Sequence, residues 1–270
     1  MVAAAFLSKN LYCVAIAESS TQEYELVQLH YSNTEPETQE SIYKKGTYAI
    51  MVNKKGRIDR KDVFHAGLVE HARFEGTWEM PVIPASDLLP DKLLPFDHAL
   101  SQNRFDHFVH FYIDDERFER IWRRPGDYLA RLSKFKGCIS PDFSLYRDLP
   151  LGMQLWNTYR GRALGYWLSV NGMDVIPNVR WSDERSYPFC FDGIQPEKPV
   201  AVGTHGCIQH REDRQYFLQG LEAMVERLHP SAVIVYGQAP DELFQPCLEA
   251  GIPIHQFDSR ILTVHQREVQ

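Results

Sequence analysis

Asp142 stands in the string Ser-Pro-Asp-Phe-Ser, directly after Pro141, whose fixed φ pre-sets the backbone ahead of a carboxylate. On such a turn a carboxylate can act as a general acid or base, or hold a divalent cation. Asp114 and Asp115 offer the same chemistry at the end of His-Phe-Tyr-Ile-Asp-Asp, where one of them equally well caps the helix that follows. Asp114 and Asp142 are thus the expected ligands if a metal is bound, with Glu184 as a further carboxylate partner.

A second group lies in Pro-Asn-Val-Arg-Trp. Strand alternation puts Asn178 and Arg180 on one face, where an amide and a guanidinium can point into the same site. Arginine is a fork for phosphate or carboxylate, and Trp181 offers a surface for a base or sugar. The competing reading pairs Arg180 with Glu184 and buries Trp181. A third group is Gly203-Thr204-His205-Gly206-Cys207. Its glycines let backbone approach a ligand closely, with Thr204 and Gly206 as binding positions and His205 as acid or base. The spacing is neither that of a Walker loop nor that of a dinucleotide fingerprint. Cys207 with His205 is a weaker nucleophile-and-base pair. Tyr236 and Asp258 complete the set, whereas Arg160 and Arg162 read as surface or interdomain pairing residues.

The elements that must position these groups are strands alternating with helices. Strands are expected at His107–Ile113, Gly137–Ser140, Asp174–Val179, Pro199–Gly203, Ala232–Val235 and Ile252–Phe257, each ending at a polar string. Leu151, Leu155, Tyr159, Ala163 and Trp167 recur at helical spacing, which predicts a helix from about Pro150 to Val170, stopped by Gly172. Glu212–Leu228 and Asp241–Ala250 supply two further helices. This alternation implies an α/β fold with parallel strands and right-handed crossovers. Because nearly every strand end carries a functional side chain, a complete or partial (β/α) barrel-like arrangement is favoured, with a doubly wound open sheet as the alternative. Pro81, Pro84, Pro90 and Pro95 deny the preceding stretch a long element, although Trp78–Ile83 suits one strand.

Residues 1–70 read as a small β-rich appendage, with strands at Leu11–Ala17, Tyr24–Tyr31 and Thr47–Asn53; residues 71–270 form the α/β main domain. The appendage carries a basic stripe, Lys44, Lys45, Lys54, Lys55, Arg57, Arg60 and Lys61, which is a solvated face or an anion contact. The whole chain has a formal charge of −7, which argues against a protein that coats nucleic acid nonspecifically. Its five cysteines are widely spaced and contain no Cys-x-x-Cys pair, so neither a disulfide framework nor a zinc-finger spacing is present. Lys9 and Asn10 interrupt the apolar start before a signal-peptide core builds up, and no apolar run is long enough to span a membrane. A cytoplasmic location is expected.

The strings Ile-Ser-Pro-Asp-Phe-Ser-Leu-Tyr-Arg-Asp, Trp-Asn-Thr-Tyr-Arg-Gly-Arg-Ala, Val-Ile-Pro-Asn-Val-Arg-Trp and Gly-Thr-His-Gly-Cys occur here in this order. From about Phe74 to Arg260 the chain resembles an uncharacterised domain-of-unknown-function family of bacteria, phages and mobile elements. The resemblance brings no reaction and no catalytic residue with it. Its setting implies business with nucleic acid, nucleotides or defence. The leading expectation is a hydrolase or transferase acting on a nucleotide, nucleic acid or other phosphorylated substrate, with a divalent metal as an optional cofactor. The alternative is a non-catalytic sensor or sequestering protein that holds a small molecule or partner, favoured by the aromatics Phe143, Trp181 and Tyr236. A third, structural reading gives the long helix and the appendage a role in assembly.

Overall fold

The computed structural model describes residues 62–259 and the backbone of Leu7–Ser8 and Leu11–Tyr12. The chain divides into two compact units, residues 1–67 and 68–270. In the first, β1 (Leu7–Ser8) pairs antiparallel with β2 (Leu11–Tyr12). The strands expected at Tyr24–Tyr31 and Thr47–Asn53, most of Leu11–Ala17, and the basic stripe lie outside the described residues, as does Arg260.

The second unit opens with an antiparallel hairpin, β3 (Phe74–Glu75) and β4 (Met80–Pro81), so only part of Trp78–Ile83 is strand. Then follow β5 (Leu93–Pro95), α1 (Phe96–Ala99), β6 (Phe108–His110), α2 (Asp115–Arg123), α3 (Gly126–Leu132) and β7 (Gly137–Ile139). The long helix α4 (Leu151–Val170) leads to β8 (Val175–Ile176), the short α5 (Tyr187–Cys190) and β9 (Val200–Gly203). Last come α6 (Arg211–Leu228), β10 (Val233–Tyr236), α7 (Asp241–Glu249) and β11 (Ile254–Phe257).

All pairings from β5 onward are parallel and follow chain order, as β5-β6-β7-β8 and β9-β10-β11. A single parallel bridge between Asn178 and Ala201 joins the two runs. The α/β class and the parallel strand-helix repeats are as expected. No pair between β11 and β5 occurs among the described residues, so closure into a complete barrel is not observed, and the open sheet of the alternative fits. β5 escaped the sequence reading because it is three residues long and ends in Pro95, which an edge strand tolerates.

Successive residues of each strand divide between two cores. Val109, Cys138 and Val175 pack with α1–α4, and Val200, Val202, Val233 and Val235 pack with α5–α7. On the other face Phe108, Tyr112, Ile139, Ile176, Ala201, Ile234 and Tyr236 pack on one another. That face is concave. β6 and β10 are four strand spacings apart, roughly 19 Å in a flat sheet, yet the rings of His110 and Tyr236 lie 4.4 Å apart. The sheet therefore curls and gathers its strand ends.

Helix α4 differs from expectation in its burial. Leu151 is exposed, while from Arg160 to Leu168 every residue is buried, on all sides of the helix. Gly161 and Gly165 make this close approach feasible: a Cβ at Gly161 would lie 3.0 Å from the Pro141 carbonyl, and one at Gly165 would lie 2.9 Å from Cβ of Ser140. Arg160 and Arg162 are accordingly not surface residues. Arg160 bonds both Glu119 oxygens, at 3.0 and 2.8 Å, and lies 3.9 Å above the Phe143 ring. Arg162 donates to three main-chain carbonyls, those of Asp192, Asn178 and Cys190, at 2.9, 3.0 and 2.6 Å.

Candidate functional site

The curl places the carboxyl ends of β6 to β10 side by side, and their side chains bond across the gaps. Just past β7, Ser140 Oγ accepts from the Asn178 N–H at 2.8 Å. The Asn178 carbonyl accepts from Arg162 at 3.0 Å. Its side-chain Oδ1 accepts from the Tyr112 hydroxyl at 2.9 Å, and its Nδ2 donates to Asp142 Oδ1 at 2.8 Å. A carboxylate only accepts, so this pairing fixes which way the amide points. Asn178 is thereby held through main chain and side chain at once, which makes it the rigid centre of the site.

Asp142 Oδ2 accepts from Arg180 Nη1 at 2.9 Å. Both carboxylate oxygens are therefore engaged, and Asp142 is buried. Burial raises its pKa above the ordinary carboxylate value, against the opposing pull of Arg180 and Asn178. For Arg180 burial works against the charge, but Asp142, with Cys207 and Asp115, outweighs it and raises its pKa further. The Arg180 side chain is anchored by this ion pair and keeps 21% of its surface exposed. Its Nη2 points to Sγ of Cys207, 3.8 Å away, in the loop after β9.

That loop is a turn in which the Cys207 N–H donates to the Thr204 carbonyl at 3.1 Å, with Gly206 at φ +76°, a conformation that suits glycine. Thr204 is buried and its hydroxyl is committed to the Gln238 carbonyl at 2.8 Å, so it ties β9 to β10. His205 and Gly206 are exposed at the rim. Beneath them Tyr236 is buried and stacks on Tyr112 with ring centroids 5.1 Å apart. Gly203 admits this arrangement, since a Cβ there would meet the Tyr112 ring at 2.8 Å.

Thus Asp142, Asn178, Arg180 and the Thr204–Cys207 turn come together, with Tyr236 below. Other expected residues stand apart. Asp114 is exposed at the N-terminus of α2 and makes no side-chain capping bond. Its neighbour Asp115 is the nearer carboxylate, accepting from the N–H and hydroxyl of Ser144 at 3.1 and 2.8 Å. Among the described residues no group of three or more His, Cys, Asp or Glu side chains is placed to hold a metal ion. Glu184 is exposed in a surface groove with Arg185, Glu212 and Tyr216. Trp181 packs against α6: its Nε1 donates to the Tyr216 carbonyl at 3.2 Å, and its ring fills space that a Cβ at Gly220 would occupy. Phe143 is buried under Arg160, and Asp258 is exposed beyond β11.

Sequence reasoning did not single out Tyr112 or Ser140, and it read Arg162 as a surface or interdomain pairing residue. For Tyr112 a signal existed, because Phe108, His110 and Tyr112 share one face by alternation. Replacing Tyr112 by Phe is expected to cost ~1–3 kcal/mol in urea unfolding, since it strands the buried Asn178 oxygen. Unchanged stability would show that the bond contributes nothing.

Residues 72–258 match the family described as Domain of unknown function (DUF4417). The chain is similar to the Gene 1 protein of Mycobacterium phage L5, at 34% identity over 164 residues, covering 60% of this chain and 72% of the phage protein. It is also similar to the Gene 1 protein of Mycobacterium phage D29, at 37% identity over 130 residues, which is 48% of each chain. It spans about half the length of the D29 protein. No solved structure matches. Among the described residues no helix is long and apolar enough to cross a membrane.

Proposed function

This chain belongs to the DUF4417 family, and from that membership and its phage relatives we propose a phage-associated enzyme that acts on a phosphorylated substrate at the strand-end mouth. The substrate class is a nucleotide or nucleic-acid end, and the reaction is a hydrolysis or group transfer. One observation carries the reading: the Arg180 guanidinium is held by buried Asp142, while its side chain stays partly open to solvent. A cation held in this way pays little entropy to receive a phosphate, and its remaining N–H groups form the fork that phosphate oxygens need. In this reading Asp142 and Asn178 position Arg180, so Asp142 is not the general base. The Thr204–Gly206 turn lines the mouth, and His205 at its rim supplies the proton transfer.

Isothermal titration of the full chain with nucleoside mono- and diphosphates and a short oligonucleotide tests the proposal. Arg180→Lys, which keeps the charge but loses the fork, should weaken binding about 10-fold or more. Equal affinities would exclude Arg180 as the phosphate ligand. A second reading, binding without turnover, is supported by the full engagement of both Asp142 oxygens. Release of product from a bound phosphate ester separates the two.

A further inference from the structure

Resting on the phosphate reading above, the geometry points to Cys207 as the nucleophile of a phosphate-monoester transfer at this mouth. Cys138, Cys190 and Cys247 are buried, whereas Cys207 is partly exposed. Its sulfur lies 3.8 Å from Nη2 of Arg180, while Nη1 of the same guanidinium is fixed by Asp142 at 2.9 Å. A phosphate forked by Arg180 would thus lie beside the thiol, with the guanidinium held on its other side by Asp142. In the same turn the N–H groups of His205 and Gly206 make no main-chain hydrogen bond among the described residues.

In the first step the Cys207 thiol passes its proton to the His205 imidazole as its sulfur attacks phosphorus and the ester P–O bond breaks, and the leaving oxygen takes that proton back from His205. The product alcohol departs and a cysteinyl phosphate remains. Water then attacks phosphorus, giving its proton to His205. The S–P bond breaks, its electron pair returns to sulfur, which takes the proton back from His205, and inorganic phosphate leaves. The net reaction is ester plus water to alcohol plus phosphate, with no redox change.

The test uses the full chain with p-nitrophenyl phosphate and nucleoside monophosphates as substrates and inorganic phosphate as the binding probe. Cys207→Ser is expected to lose turnover about 1,000-fold or more while phosphate binding is retained. Acid-quenched parent protein should yield a phosphorylated peptide containing Cys207. Phosphate should also slow iodoacetamide labelling of Cys207 in the folded parent, mapped by peptide mass, a readout that needs no variant. Parent-level turnover in Cys207→Ser overturns the proposal and leaves the phosphate enzyme standing. Phosphate binding without product release also overturns it, and leaves only the binding reading. A parent that neither binds nor cleaves these probes overturns both.

Discussion

Arg180→Met is expected to destabilise the protein by about 3 kcal/mol, the lower end of the range for breaking a buried ion pair, because the Arg180 side chain retains some exposure. The loss comes from the partner left behind. Asp142 stays buried with only Asn178 to bond it, and its desolvation is no longer offset by a charge 2.9 Å away. Adding Asp142→Asn removes that stranded charge, so the double variant should recover much of the stability while still failing to bind phosphate. This separation of stability from binding distinguishes a ligand role for Arg180 from a purely structural one. The pH dependence carries a definite sign. Burial raises the folded-state pKa of Asp142, so between its unfolded and folded values the folded chain binds the proton more tightly. This group's contribution therefore falls as pH rises through that window. Without Arg180 the window extends upward, and Arg180→Met should lose less stability at acidic than at neutral pH. Urea unfolding at both conditions measures this, and an equal loss at each would contradict it.

Arg162→Met is expected to cost more, roughly 3–9 kcal/mol, since each buried carbonyl left without a donor costs ~1–3 kcal/mol and Arg162 serves three. Domains have only about 5–15 kcal/mol to lose, so poor soluble yield is part of the expected outcome. Arg162→Lys gives the measurable case. An ammonium cannot reach three carbonyls in a fork geometry, and the variant should lie between parent and Met in denaturant midpoint. Burial lowers the Arg162 pKa to about 10, which leaves it charged at neutral pH. One of its three carbonyls belongs to Asn178, so Arg162→Lys should also weaken phosphate binding through the Asn178–Asp142–Arg180 chain. Lost stability with unchanged phosphate affinity would confine Arg162 to the fold.

Much of the architecture was legible because its elements announce themselves locally. Buried parallel strands such as Val233–Tyr236 are short apolar runs, and α6 is amphipathic with Phe217, Leu221, Met224 and Leu228 on its buried side. Helix α4 misled for a physical reason. Periodicity assumes one wet face, and a helix buried all round between Arg160 and Leu168 has none, so its arginines were read as surface or interdomain pairing residues. Trp181 was ambiguous until Gly220 was seen to leave room for its ring.

The sequence by itself placed Asp142, Asn178, Arg180 and the Thr204–Cys207 turn at strand ends, because alternation and strand length are local properties. Which of them touch was decided by the tertiary structure. Tyr112 meets Asn178 across 66 residues of chain, Asp142 meets Arg180 across 38, and Arg180 meets Cys207 across 27. Those meetings depend on strand order, on the curl that brings β6 to β10, and on the two glycines that let α4 press against the Asp142 turn. None of these is encoded in a local window of sequence. The polar strand ends come together only when the sheet bends.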